Sequence, residues 1–587
     1  GTDGYGVSFI AFLFDWNQCL ILNKKQGMKK YNLLALAACL WMTTACSDFL
    51  ELNESGYNSV EYQFSTFDRT KAVATNVYGY LKDGYSEVCS TMIDAATDDA
   101  VNAWSTNGIK GFYDGSWNTS APIGDVWEYY YRAIAAANYF IEHCPADFPA
   151  AKYQEKYEEK LKELKLYPYE IQALRAYFHF ELLKRYKNII IADRQFTLEE
   201  VNELQPATFA EAVNWIVGEC DEAAKFLPVT FKGMTSTDEV GRATKGMALA
   251  LKARVLLYAA SPLNSTDNQA KWLKAAKAAK AVIDLNVYQE KPGEEVINNP
   301  NSLDFIFGRW NGVSNSFESA NFPIGYEGGN SGVCPSHNLV EAFDMRDGTP
   351  FDWNNPEHRN KALEPSERDP RLAQTVLMNG QTFKDKVVES FIGGMNGLPK
   401  EGASPTSYYL RKHLKEATDL TTGSATSYQH IWPLFRYAEV LLNYAEALLE
   451  ATKEPDFKGT LDNVQYTVSP REAVNMIRTR VDMNAVETTG YDAFKKRLRN
   501  ERRVELAFEG HRFWDIRRWM TGTSTTRIEG LSITAVKDES GEGYIYSYEK
   551  KTVQERIWEE RMNYYPIQDV ELFKNHNLVQ NEGWESN

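Results

Sequence analysis

The sequence predicts a mainly α fold, one large helical unit carrying a loop-built face. Three observations predict it. Long segments place apolar residues three and four apart, the spacing that puts them on one face of a helix. Several of these segments fall into pairs with small residues where the helices would touch, a pattern of tetratricopeptide-like stacking although the spacing between pairs is irregular. Against them stands a contrasting region of about 286–428, rich in Gly, Asn, Pro and Ser and containing Gly328-Gly-Asn-Ser-Gly332, with a shorter loop-rich insertion over 97–125. Long irregular stretches inside a compact protein are usually functional loops, and neither region has the composition of an interdomain linker.

The first predicted helix runs from Phe67 to Leu81. A pair follows, Val126 to Cys144 and Tyr169 to Tyr186, the second with Ile171, Leu174, Phe178 and Leu182 at helical spacing. Phe209 to Phe226 and Thr244 to Ala260 form another pair. Met247 to Ala260 is apolar almost all round, so it belongs at the centre. Lys271 to Leu285 comes next. Beyond the loop region, Leu434 to Ala451 aligns Leu434, Ala438, Leu441, Ala445 and Leu448 on one face, and Pro470 to Val481 and Tyr491 to Phe508 complete the set.

The last helix leads into Arg499-Asn-Glu-Arg-Arg-Val-Glu-Leu-Ala-Phe-Glu-Gly-His-Arg-Phe-Trp-Asp-Ile-Arg-Arg-Trp519, predicted to break at Gly510 and restart as a short aromatic-basic turn. Phe494, Leu498, Glu501, Glu505 and Phe508 share one face. Two carboxylates therefore sit in an apolar stripe, where unpaired charge is very costly. They need cationic partners, and Arg502, Arg503, Arg512, Arg517 and Arg518 lie close by in sequence. Interleaved Glu and Arg make this an ion-pair network with a packing role rather than a binding patch.

Composition narrows the function classes. The 587 residues carry a formal net charge of −16, which argues against phosphate-backbone binding, since that needs a basic footprint. The 14 Trp, 33 Tyr and 29 Phe exceed what a core requires and point to a surface built partly from rings. At the N-terminus, Met28-Lys-Lys is a basic n-region, Leu33 to Met42 is a short apolar stretch, and Thr43-Thr-Ala-Cys46 ends it at a cysteine. That is a secretory signal over 28–45, too short to span a bilayer. It is similar to a bacterial lipoprotein signal, with Thr43 where Leu is usual, which implies lipid attachment at Cys46. Residues 1–27 fit no targeting logic and are expected to be upstream sequence, with Met28 as the true start. Residues 46–587 are expected to form one unit. Its other cysteines, Cys89, Cys144, Cys220 and Cys334, are scattered without Cys-x-x-Cys and are expected to be buried free thiols.

The Arg499–Trp519 run closely resembles the C-terminal signature of the SusD/RagB family of outer-membrane nutrient-binding lipoproteins. The likeness extends along nearly the whole chain after the signal. It includes Cys46-Ser-Asp-Phe-Leu, Thr97-Asp-Asp-Ala, Ala173-Leu-Arg-Ala-Tyr-Phe-His-Phe, Ala243-Thr-Lys-Gly-Met-Ala-Leu-Ala, Asp369-Pro-Arg-Leu372, Arg436-Tyr-Ala-Glu-Val-Leu-Leu-Asn-Tyr-Ala-Glu-Ala447, Asn475-Met-Ile-Arg-Thr-Arg480 and Tyr565-Pro-Ile-Gln568. At Gln580-Asn-Glu-Gly-Trp584, Glu582 stands where Pro is usual. The resemblance implies four tetratricopeptide-like helix pairs with a large loop-rich ligand region. It also implies a lipid-anchored protein of the outer membrane and cell surface that captures oligosaccharide or polysaccharide for a SusC-type TonB-dependent transporter. Peptide or another nutrient is the alternative ligand. No cofactor, no catalysis and no nucleic acid are implied.

Sugar recognition needs flat aromatic faces for the apolar sides of the rings and planar polar groups for the hydroxyls. Asp99, Asn102 and Trp104 offer this in the first insertion. Trp310 and Asn311, after Arg309, offer it in the second region, followed by Phe322 and Tyr326, and Tyr408-Tyr-Leu-Arg411 is a third cluster. Trp104 and Trp310 are the leading candidates, whereas Trp117 and Trp353 are read as structural. Asp98 and Asp99 could be a glycosidase pair, but adjacent carboxylates rarely flank one bond, and capping or solvation explains them better. The eight histidines show no His-Glu-x-x-His and no clustering with Cys, and no phosphate-cradling Gly loop precedes a helix. No metal-ligand motif and no catalytic constellation emerges.

Overall fold

The computed structural model describes residues 59–234, 239–541 and 543–585. The signal, Cys46 and residues 1–27 lie outside them. A leading unit ends at Gln63 with the single turn Val60–Gln63, and the body begins at Phe64. Ten helices of eight residues or more, among the described residues, form the scaffold of that body. They are α1 (Phe67–Tyr78), α2 (Trp127–His143), α3 (Tyr157–Tyr186), α4 (Phe209–Phe226), α5 (Lys245–Ala260), α6 (Gln269–Ile283), α7 (Tyr437–Thr452), α8 (Pro470–Arg480), α9 (Tyr491–Glu505) and α10 (His511–Arg518). From α2 through α7 each packs against the next in chain order, and α7 also carries α8 and α9.

Local chemistry sets half of the ten starts. Thr66, Thr208, Thr244, Asn268 and Ser469 each accept a backbone N–H from the first turn of α1, α4, α5, α6 and α8, satisfying donors that have no partner inside the helix. The central positions of α5 are buried as its all-round apolarity requires, Met247, Leu251 and Leu257 among them. The whole of α7 from Tyr437 to Ala451 is buried as well.

Several boundaries differ from the sequence expectation. Helix α3 begins at Tyr157, not Tyr169, and runs through Pro168. Proline removes one rung, but Leu164 before it and Ile171 after it are buried, and packing holds the turn. Leu434 belongs to a strand, and α7 starts three residues later. Pro433 biases Trp432 to extended backbone, while Asp304 takes the first N–H groups of α7: its carbonyl accepts from Tyr437 at 2.8 Å and its Oδ1 from Ala438 at 2.8 Å. Helix α9 ends at Glu505, and Phe508 has φ +57°. The expected turn after Gly510 is the two-turn helix α10, with Gly510 left-handed at φ +76°.

The loop-rich regions hold short antiparallel strand pairs that the helical reading did not anticipate. β1 (Ala100–Asn102) pairs with β3 (Val333–Pro335), bringing the two insertions together. β2 (Phe305–Ser314) pairs with β6 (Tyr428–Arg436), and β4 (Val376–Leu377) with β5 (Tyr409–Leu410). A longer pair, β7 (Arg527–Lys537) with β8 (Tyr544–Glu555), follows α10. Under these strands lies a second core that includes Val101, Phe322, Cys334, Leu377, Phe383, Tyr409 and Ile528. The four described cysteines are free, but only Cys220 and Cys334 are buried; Cys89 is exposed and Cys144 half-buried.

Candidate functional site

The C-terminal motif is an internal ion-pair network, though not with the partners its sequence offers. Glu501 takes Arg371 at 2.6 Å and Arg478 at 2.8 Å, and Glu505 takes Arg371 at 2.9 Å, Arg436 at 3.1 Å and Arg480 at 2.5 Å. None of these arginines is in the motif. Its own arginines turn elsewhere: Arg502 binds Asp515 of α10 at 2.7 Å, Arg518 binds Glu446 of α7 at 2.6 Å, and Arg517 lies 3.4 Å over the Phe513 ring of its own helix. Residues one or two apart on a helix point in different directions, so nearness in sequence did not make them partners.

Asp98 and Asp99 are neither caps nor solvated. Both are buried, Asp98 held by Arg512 at 2.8 Å and Asp99 by Arg503 at 2.7 Å. Burial pushes Asp98 up, but the guanidinium charges of Arg503 and Arg512 outweigh it and hold the carboxyl well below the usual range. These bonds tie the first insertion to α9 and α10. Asp99 therefore clamps the first insertion in place and presents no atom at its surface.

Asn102 ends β1 and is also buried. Its Nδ2 donates to Thr91 Oγ1 at 3.1 Å, and its Oδ1 accepts the backbone N–H of Trp104 at 3.0 Å, so it positions the ring rather than reaching outward. Trp104 is 37% exposed. Its Nε1–H donates to the Asn330 carbonyl at 2.8 Å. Asn330 is itself tethered by its Nδ2 to the Ser319 carbonyl at 3.0 Å. On the other side Gly402, at φ +76°, lies so near that a Cβ there would come within 2.9 Å of the indole Cζ2. A large aromatic ring is thus exposed yet fixed in orientation. The Gly328–Gly332 run stood out in the sequence, but nothing there tied Asn330 or Gly402 to Trp104.

Trp310 lies mid-strand in β2 opposite Ile431, half-buried over Gly241 (φ +101°), where a Cβ would come within 2.5 Å of the indole Nε1. That buried Nε1–H has no hydrogen-bond partner among the described residues. The register shifts after Trp310, and the Asn311 carbonyl accepts from Gln429 Nε2 at 3.1 Å. Asn311 itself stays half-buried.

The remaining aromatic candidates face inward. Tyr326 is 6% exposed, edge-on to Phe383 at 5.2 Å, with its hydroxyl on the Lys386 carbonyl at 3.3 Å; burial pushes its phenol up to about 12. Tyr408 is wholly buried, its hydroxyl 2.9 Å from His337 Nδ1, and Phe322 and Tyr409 are core residues. In this structure none of the four offers a ring face to a ligand. Trp117 is buried against Phe112 and Tyr565, in line with its structural reading.

Two family profiles match this chain: the SusD family over residues 306–584, and a family described as starch-binding associating with outer membrane over residues 48–257. The chain belongs to the SusD family. A SusD-like protein of Formosa agariphila is 20% identical over 531 residues, covering 84% of this chain and 90% of that protein. A SusD-like crystal structure from Bacteroides fragilis is 25% identical with a TM-score of 0.69, covering 89% of this chain and 98% of the other. A SusD-like carbohydrate binding protein from the same species has 24% identity and a TM-score of 0.66, over 88% and 99% of the two chains. A surface glycan-binding protein from Bacteroides uniformis has 17% identity and a TM-score of 0.60, over 88% and 99%. The mainly helical SusD-like fold is shared with all of them.

Proposed function

We propose that this SusD-family protein is a cell-surface glycan-binding lipoprotein. In this reading it is anchored in the outer membrane through lipid on Cys46 and passes captured oligosaccharide to a SusC-type TonB-dependent transporter. The observation that carries the reading is Trp104, an exposed indole locked between the Asn330 carbonyl and Gly402. A ring held this way stacks on the apolar face of a pyranose without losing side-chain freedom on binding. Trp310 supplies a second contact through the half-buried face of its ring, with Asn311 beside it. The protein acts by binding alone. The carboxylate pairs that stand out in the sequence, Asp98 with Asp99 and Glu501 with Glu505, are engaged by arginines, which leaves neither pair free as an acid and base about one glycosidic bond.

Calorimetric titration of the chain without its signal against a polysaccharide panel tests this. At least one glycan should bind, and Trp104→Ala should weaken it at least about tenfold, or about 1.4 kcal/mol. Trp310→Ala should give a smaller loss. Binding to peptides with no glycan bound would favour the other nutrient class. Unchanged affinity in both variants sinks the site, and any sugar product released by the purified protein sinks the non-catalytic reading.

A further inference from the structure

A cavity of about 60 Å³ lies inside the scaffold where α3, α5, β6 and the turn before α10 meet, apart from either candidate tryptophan. Half-buried Lys82 and Asp83 stand at its edge. On the measure that one water needs about 10–15 Å³, it holds about four to six waters, or roughly 120–180 Å³ of liquid.

The wall is charged but mostly paired. Lys184 binds Glu181 at 2.7 Å, Arg254 binds Glu439 at 2.6 Å, and Glu509 takes Lys412 at 2.7 Å and Arg436 at 2.8 Å. Lys82 and Asp83 have no ion-pair partner among the described residues, but they are of opposite sign and leave no net charge to draw an ion. Beyond them an ionic ligand would be desolvated without a free counter-charge.

The neutral groups are a different matter. Tyr177, Tyr258, Trp432 and His511 all line the cavity and are 4%, 6%, 5% and 9% exposed. None of their hydroxyl, indole or imidazole polar atoms has a hydrogen-bond partner among the described residues. These atoms reach the cavity space, where water serves them before a ligand binds, and four of them converging there form a ready set of donors and acceptors. Burial pulls His511 down to about 4, so at neutral pH its imidazole can both donate and accept. The Trp432 and Trp514 rings add apolar wall beside these groups. Neutral donors and acceptors around a ring-sized space with indole sides match a neutral polyhydroxylated ring.

We propose that this cavity is a binding site for a single hexose-sized neutral sugar, held by Tyr177, Tyr258, His511 and Trp432 and separate from the surface contacts at Trp104 and Trp310. It goes beyond the surface reading and does not depend on it.

The test is titration of the full chain without its signal against D-glucose, D-galactose and D-mannose, by calorimetry and by saturation-transfer NMR. At least one should bind saturably. Tyr177→Phe and Tyr258→Phe, which remove only a hydroxyl, should each weaken it at least about tenfold with an unchanged melting temperature, and Trp104→Ala should leave it as it was. No saturable binding, meaning that water alone fills the space, overturns the proposal. So does full affinity in both phenylalanine variants. A loss that follows Trp104→Ala overturns it too while leaving the surface reading in place. Monosaccharide binding with these dependences but no polysaccharide binding upholds the cavity and sinks the surface reading.

Discussion

Asp94 is buried beside the carboxyls of Asp99 and Glu87, and neither of its carboxylate oxygens has a hydrogen-bond partner in another residue. Burial, then the Asp99 and Glu87 charges, push it up to about 8. An unfolded Asp titrates near 3.9, so between about pH 4 and 8 folding takes up a proton, and stability falls as pH rises through that window. Asp94→Asn should therefore stabilise the protein by more than about 1 kcal/mol at pH 7, with a gain that grows from pH 5 to pH 8. Urea midpoints of the two proteins at those pH values check this, and an equal difference at both would refute it. The same blindness of residue type to burial governed the ligand candidates. Trp104, Tyr326 and Tyr408 read alike in a loop sequence. Only Trp104 is exposed, because Tyr326 turns into the second core and Tyr408 is buried against His337.

Helices were legible where the chain carries its own signals. In α8, Ser469 accepts the Glu472 N–H at 3.1 Å while the Glu472 carboxylate takes the Ser469 N–H at 2.9 Å, and Pro470 fills the first helical position. Ser469→Ala should cost about 1 kcal/mol, seen as a lower urea midpoint with glycan affinity retained. An unchanged midpoint would show that tertiary contacts alone fix this end. Elements lacking such signals were misjudged. The start of α7 depends on Asp304, 133 residues before Tyr437 in the numbering and reached only through the β2–β6 pairing. The β7–β8 pair escaped the helical reading although Tyr544, Tyr546 and Tyr548 alternate, the period of a strand with one face covered.

Across the whole molecule, acidic side chains hold distant elements together. Burial pushes Glu181, Glu439, Glu509 and Asp515 up, but lysine and arginine partners outweigh it and hold each near about 2. Depressed carboxyls give stability that is present above their unfolded values of about 4 and lost as pH falls toward 2. Each is worth roughly 3 kcal/mol by that shift, and Asp94 runs the other way over the higher window. The urea midpoint should hold near neutrality and drop steeply between pH 4.5 and 3, and a midpoint equal at pH 5 and pH 3 would contradict this. By itself the sequence determined the helical periods, the caps, the family and the need of Glu501 and Glu505 for cationic partners, because all of these lie in local spacing or in ordered motifs. Only the tertiary structure decided that Arg371, Arg436, Arg478 and Arg480 meet those two carboxylates, that Arg503 reaches back to Asp99, and that Trp104 stands open while Tyr326 and Tyr408 do not. Partners from 23 to 404 residues apart are chosen by how elements pack, and no local pattern carries that choice.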